Sequence, residues 1–412
     1  MNPKRVVILG GGFAGLWSAV GAARKLDQMG LGPSDVTITL VNRDPYHCIR
    51  VRNYESDLRS VRIPLDDVLN PVAVERVEGE VTTLDVPNQV VHVRDAGTNK
   101  LCALRYDRLV VALGSQLNRP AIPGLAEFGF DIDTYQGAER LNAHLQALPA
   151  QPESAGQYTV LVVGAGLTGI EAATEMPQKL RAITANASAA RRFRVILADR
   201  NPRVGSDMGD EACQVIEKAL KDLGIETRGG ISVAGVDASG VRLSSGDSIP
   251  AATVVWCAGL HANPFTRSIA GERDRFGRVF VDEFMRVKGV ANVFAAGDSA
   301  SALLDDVHAS VMSCQHGRPM GRFAGHNVIC DMFAQPMLPL RIEWYVTVLD
   351  LGAWGAVYTE GWDRKVVSTG EAAKKTKQTI NCQRIYPPLS RDRREILEAA
   401  APVTQAAPQV RH

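Results

Sequence analysis

The chain has 412 residues, 46 Lys+Arg against 45 Asp+Glu, and a formal net charge of +1. That balance gives no electrostatic reason to expect nucleic acid or a strongly acidic partner, and a hydrophobic content of 45% is too high for a disordered chain. The length suggests two or three domains. The 7 cysteines are scattered, odd in number and without a CxxC pair, which argues against a disulfide framework or a thiolate metal site and for a reducing, cytoplasmic setting. No metal is expected, since His308 and His316 do not have ligand spacing.

In chain order, Lys4-Arg5 leads straight into Val6–Leu9, a short apolar run that ends in glycines. It reads as a buried strand rather than a signal peptide, and no stretch reaches the roughly 18–20 apolar residues of a membrane span. Directly after it comes Gly10-Gly11-Gly12-Phe13-Ala14-Gly15. Gly10 permits a tight turn, Gly12 lets the backbone approach a pyrophosphate, and Gly15 lets the next helix pack closely on the strand. The helix amides then face the anion. Further strands are expected at Val36–Val41 and Leu109–Leu113, with antiparallel hairpins over Arg76–Leu104 around Pro87-Asn88 and Gly97-Thr98.

Pro149–Gly156 reads as a link into a second unit of the same design. There Val160–Val163 leads into Gly164-Ala165-Gly166-Leu167-Thr168-Gly169, and the next strand, Val195–Ala198, ends in Asp199, a carboxylate able to accept from a ribose diol. The Ala-rich segment around Arg181–Arg192 is expected to be helix end and loop. Thr253–Cys257 and Val293–Ala296 complete the buried strands. Past about residue 326 the pattern changes. Strands are expected at Trp344–Val348 and Ala353–Tyr358, a basic stretch follows with Lys374, Lys375 and Lys377, and the Ala399–Gln409 tail is expected to be loose. The repeated strand, glycine loop and helix imply two dinucleotides, for which FAD plus NAD(P) is the usual pair.

The Gly10 motif, Tyr106–Ser115, the Gly164 motif with Glu171, Val254–Gly259 and Val290–Asp298 together resemble the two-dinucleotide-binding flavoprotein superfamily in order and spacing. The resemblance runs over roughly residues 5 to 330. It implies an α/β fold: a doubly wound FAD-binding domain in two segments (1–115 and 261–330), an inserted Rossmann-like NAD(P)-binding domain (116–260), and a small C-terminal α/β cap (331–412). No CxxxxC pair of the disulfide reductases is present. Tyr46-His47 and Gly164–Glu171 look most like the type II NADH:quinone oxidoreductases.

That resemblance assigns roles residue by residue. Asp298, with Gly297, would contact the FAD ribityl and pyrophosphate region, with Asn42, Arg43, Val81, Ala112 and Gly114 also beside FAD. Asn42 stands where an acidic residue often meets the FAD ribose. Gly259 joins the glycine loop and Asp199 on the nicotinamide side. Asp199 points to NADH, while Arg200 and Arg203 could reach the 2′-phosphate of NADPH. Glu171 is either a carboxylate orienting the nicotinamide or relaying a proton, or a first-turn helix carboxylate favoured by the dipole. The family's acceptor-side Ala-Gln-x-Ala-x-Gln stretch corresponds to Ser310–Gly317, with Gln315 retained and Val311 in place of the first Gln. Arg50 and Arg52 follow the Tyr-His pair where relatives are mostly apolar, favouring a polar or anionic acceptor; surface solvation or salt bridging is their other reading.

The expectation is therefore an FAD-dependent NAD(P)H dehydrogenase passing hydride from NADH to flavin and electrons to a quinone-like small acceptor. It would be cytoplasmic, with peripheral membrane contact and a homodimer both open. The alternatives are reduction of a ferredoxin-like protein docking on Trp344, Trp354, Trp362 and the basic stretch, reduction of a specialised metabolite, or an NADH-responsive regulatory flavoprotein. Cys48 is read as a buried inert thiol.

Overall fold

The computed structural model describes residues 3–184 and 193–410. A seven-stranded sheet has the spatial order Val293–Ala295, Arg108–Val111, Lys4–Leu9, Val36–Asn42, Glu75–Asp85, Val90–Asp95, Leu101–Arg105. The first five strands are parallel, and the last two join antiparallel as the expected hairpins. Val6, Ile8 and Leu9 are sealed from solvent, which is why this strand reads as an unbroken apolar run. Helices Phe13–Gln28 and Cys314–Met332 pack on the sheet and on each other. Their backbones nearly touch: a Cβ on Gly321 would lie 2.3 Å from the Ala14 carbonyl oxygen.

The chain leaves this sheet through Ser115–Leu117 and returns through Leu260–Ala262, which pair antiparallel. Between them lies an all-parallel sheet in the order Gly129–Phe130, Thr253–Trp256, Thr159–Val163, Arg194–Ala198, Ile225–Arg228. Helix Leu167–Thr184 follows the second glycine loop; of the expected helix end and loop, residues 185–192 lie outside the described residues.

The C-terminal part differs from expectation in register and in its tail. Its strands are Val346–Asp350 and Ala356–Glu360, each displaced toward the C-terminus, with an unanticipated third, Lys365–Thr369. Gly352 and Gly355, with φ of +61° and +126°, make the turn between the first two. The basic stretch is helical, Gly370–Thr379, and runs into a π turn at Ile380–Arg384. The tail is irregular but docked rather than loose. Gln405 accepts from Trp344 Nε1 at 3.0 Å and Pro408 from the Tyr358 hydroxyl at 2.6 Å.

Candidate functional site

The two glycine loops are built alike. Gly10 and Gly164 have φ of +99° and +102°, a conformation L side chains rarely adopt. A Cβ on Gly15 would lie 1.7 Å from the Gly10 carbonyl oxygen, and one on Gly169 the same distance from that of Gly164. At Gly12 and Gly166 a Cβ would meet nothing within 4 Å, so these two open onto empty space where a phosphate can approach the backbone. Each loop is braced by the end of the neighbouring strand. Asn42 Oδ1 accepts from the Gly11 amide at 2.8 Å, and Asp199 Oδ2 from the Ala165 amide at 2.6 Å. These features fit two dinucleotides whose pyrophosphates are approached by backbone.

Both loops open into one cleft of about 2240 Å³. Gly10, Gly12, Phe13, Ala14, Asn42, Arg43, Val81, Ala112, Gly114, Gly297 and Asp298 line it from the first unit, and Gly164, Gly166, Leu167, Thr168, Asp199 and Gly259 from the second. Gly15 and Gly169 instead lie beneath the helix starts. Arg50, Glu171, Val311 and Gln315 also reach the cleft, whereas Arg52 does not. Its guanidinium grips Glu55 through two hydrogen bonds of 2.8 and 2.7 Å and donates to the Tyr386 hydroxyl. Arg50 pairs with Asp133, donates to Ser115 Oγ and lies 3.9 Å from the Asp298 carboxylate. Of the two readings of these arginines the structure favours salt bridging: each is matched by a carboxylate of the chain itself.

Burial pushes the Asp298 carboxyl upward, opposed by the Ser115 hydroxyl at 2.7 Å and the charge of Arg50. Glu171 is 7% exposed. Its Oε1 accepts from Lys377 Nζ at 2.7 Å and from the Asp350 amide at 3.2 Å. Burial drives this carboxyl up, and the lysine ammonium pulls it back. Sequence reasoning did not pair Glu171 with Lys377; no local pattern links residues 206 positions apart. Cys48, half-buried, is pushed up to about 11 by burial and by Asp44, as an unreactive thiol would be.

His316 Nδ1 accepts from the Val311 amide at 2.9 Å, leaving Nε2 to carry the proton, which the Gln315 carboxamide 3.2 Å away can accept only through its oxygen. Beside it His308, Trp362 and Tyr345 form a continuous stack with centroid spacings of 4.3 Å. Trp354 is half-buried and donates to Asp222, and Lys374 pairs with Asp350. Of the expected docking face, Trp344, Trp354, Trp362 and Lys374 are half-buried, Lys377 is buried and Lys375 is exposed.

Burial lowers both His47 and His316 to about 4. Unfolded histidines gain protons below about pH 6.5, so these two favour unfolding as pH falls from there to about 4, by up to about 1.4 kcal/mol per unit each. The melting temperature is expected to fall steadily through that window, and more shallowly in His316→Gln. An unchanged slope in the variant would remove His316 from the account.

Fold and site together define an oxidoreductase of the two-dinucleotide type. The family model for pyridine nucleotide-disulphide oxidoreductases matches residues 4–321, and the chain belongs to that family. All seven of its cysteines are free. It is 57% identical over 404 residues, 98% of this chain and 100% of the relative, to an NADH dehydrogenase-like protein of Mycobacterium tuberculosis. It is 31% identical to a type II NADH:quinone oxidoreductase of the same organism, over 71% of this chain and 66% of that one. Its fold is similar to the solved structure of NDH2 from Plasmodium falciparum in complex with NADH, with a TM-score of 0.76, 13% identity, and 97% and 98% of the two chains covered.

Proposed function

We propose that the protein is an FAD-dependent NADH dehydrogenase that reduces a quinone-like small acceptor, NADH + H⁺ + Q → NAD⁺ + QH₂. The observation that carries this reading is the duplicated loop geometry opening into one continuous cleft, which lets two dinucleotides share it. FAD would be held by Gly10, Gly12, Phe13, Ala14 and Gly15 at its pyrophosphate, with Asn42 and Arg43 toward the ribose and Val81, Ala112, Gly114, Gly297 and Asp298 along the rest. NADH would be held by Gly164, Gly166, Leu167, Thr168, Gly169, Asp199 and Gly259. Arg203 is paired with Glu217 and Asp210 while Arg200 lines the cleft, so the preference for NADH rests on Asp199. The domain division at residues 115, 260 and 330 belongs to this proposal, as does a cytoplasmic enzyme with peripheral membrane contact; among the described residues no helix is long and apolar enough to cross a membrane.

What a bound flavin supplies is a two-electron store between nicotinamide and acceptor. The chain supplies position and protons. The two braced loops set the placement of both dinucleotides before reaction, which lowers the entropic part of the barrier. Glu171 Oε1 and Lys377 Nζ hold a proton between them at the cleft wall, and this pair is the source proposed for the second proton of QH₂. Gln315 and Val311 form the acceptor side, with His316 neutral at pH 7 and orienting the Gln315 amide.

An anaerobic NADH titration of the purified protein should bleach the flavin absorption band, and a soluble short-chain quinone should restore it. A protein without flavin, or no bleaching with NADH or NADPH, would sink the reading. Asp199→Ala should raise the KM for NADH about tenfold, the equivalent of about 1.4 kcal/mol, and an unchanged KM would release Asp199 from the ribose role.

A further inference from the structure

Helix Cys314–Met332 carries Arg318 and Arg322 one turn apart, hence on one face. They are 6% and 3% exposed, yet among the described residues neither guanidinium has a hydrogen-bond or ion-pair partner, and both Nε atoms are buried and unsatisfied. Both guanidinium carbons lie over the Trp17 ring, 5.6 and 4.5 Å from its centroid. Arg384, on the π turn, faces the same space, and among the described residues it bonds to the Ala406 carbonyl and to no carboxylate. Burial pulls Arg318 down to about 10 and, with Arg318 and Arg384 adding to it, Arg322 to about 9. Like charges one helical turn apart repel, and a buried charge without a partner is costly. A chain that keeps two such cations together, with the half-buried Arg384 beside them, has a reason outside its own side chains.

All three line the cap end of the cleft, beyond Cys314 and Gln315, where Ile342, Trp344 and Ile380 supply apolar walls. We propose that this end is an anion-recognising acceptor site, in which Arg318, Arg322 and Arg384 hold the carboxylate, sulfonate or phosphate of an acceptor whose conjugated ring lies toward Gln315. The proposal rests on the acceptor reading above and narrows it to a class. The electron balance is unchanged: two electrons and one proton from NADH and one further proton convert the quinone to the quinol, and the anionic substituent takes no part in bond making.

Two measurements on the flavin-loaded protein test it. In turnover with NADH, naphthoquinone is compared with its sulfonate, and the ratio of their kcat/KM values is compared between proteins so that their intrinsic reactivities cancel. The sulfonate-to-neutral ratio should fall roughly tenfold or more in Arg322→Met, hold in Arg322→Lys, and fall with added salt in the wild type. Separately, calorimetry with redox-inert naphthalene sulfonate should show saturable binding that Arg318→Met and Arg322→Met each weaken about tenfold. A ratio indifferent to Arg322 and to salt, or no sulfonate binding, overturns the proposal while leaving quinone reduction standing. Binding intact without turnover on any acceptor would instead remove the redox reading and keep the anion site. A shift of flavin potential in Arg322→Met at unchanged sulfonate affinity would assign the charges to the flavin and also overturn it.

Discussion

Gly169→Ala is expected to keep its flavin and lose reduction by NADH. A methyl group there would lie 1.7 Å from the Gly164 carbonyl oxygen and 3.4 Å from Cys257 Cβ. Gly164 cannot retreat, because its φ of +102° forms the turn and its amide donates to the Ala198 carbonyl at 2.8 Å. The start of helix Leu167–Thr184 has to shift instead, carrying with it the amides that face the second dinucleotide. Overpacking of this kind costs about 1–3 kcal/mol of stability, and a displaced phosphate cradle should raise the KM for NADH roughly a hundredfold, the equivalent of about 2.7 kcal/mol. Gly15→Ala makes the same clash against Gly10 and should lose flavin instead. Flavin absorbance per protein and an NADH titration separate the two variants. Bleaching at wild-type concentrations in Gly169→Ala would refute the division of labour between the loops.

The second large effect is expected at Lys377. Its ammonium donates to Glu171 Oε1 at 2.7 Å and to the Val348 carbonyl at 2.8 Å, ties the Gly370–Thr379 helix to the second glycine-loop helix, and is nearly sealed from water. Lys377→Met leaves the Glu171 carboxyl buried with no cation, so burial drives its pKa further upward. Urea unfolding should show a loss of about 3–5 kcal/mol, as is usual when one member of a buried pair is deleted. Adding Glu171→Gln should recover most of that loss, because the uncompensated carboxyl is then gone. Turnover with quinone should not recover with stability: both the single and the double variant should stay about a hundredfold slow, the scale of a lost proton-transfer group. A double variant restored in stability and rate together would make the pair purely structural.

Local rules made much of the chain legible. The buried strands of both parallel sheets and the glycine loops follow from apolar runs and from spacings that only a strand–turn–helix satisfies. The hairpins over residues 75–105 were legible from alternation and turn residues. Strand ends in the C-terminal part were less so, because Trp344 and Tyr345 are apolar for packing against other elements rather than for pairing in the sheet. The tail read as loose from its Ala, Pro and Gln content. It is held by single hydrogen bonds to Trp344 and Tyr358, which composition does not encode.

By itself, then, the sequence determined the class of the protein: two strand–glycine–helix units, the carboxamide or carboxylate that ends the second strand of each, and the terminal Gly297-Asp298 turn. Those features depend on φ, on close approach and on residues a few positions apart. Tertiary structure alone decided which charges are matched. Arg50 and Arg52, which looked like acceptor-binding cations, find Asp133 and Glu55, while Arg318 and Arg322, unremarkable on a helix, are buried with no carboxylate. Glu171 acquires its lysine only when the cap folds onto the second unit. Charge compensation is a property of distance in space, and a cation's meaning here depends on whether folding brings an anion to it.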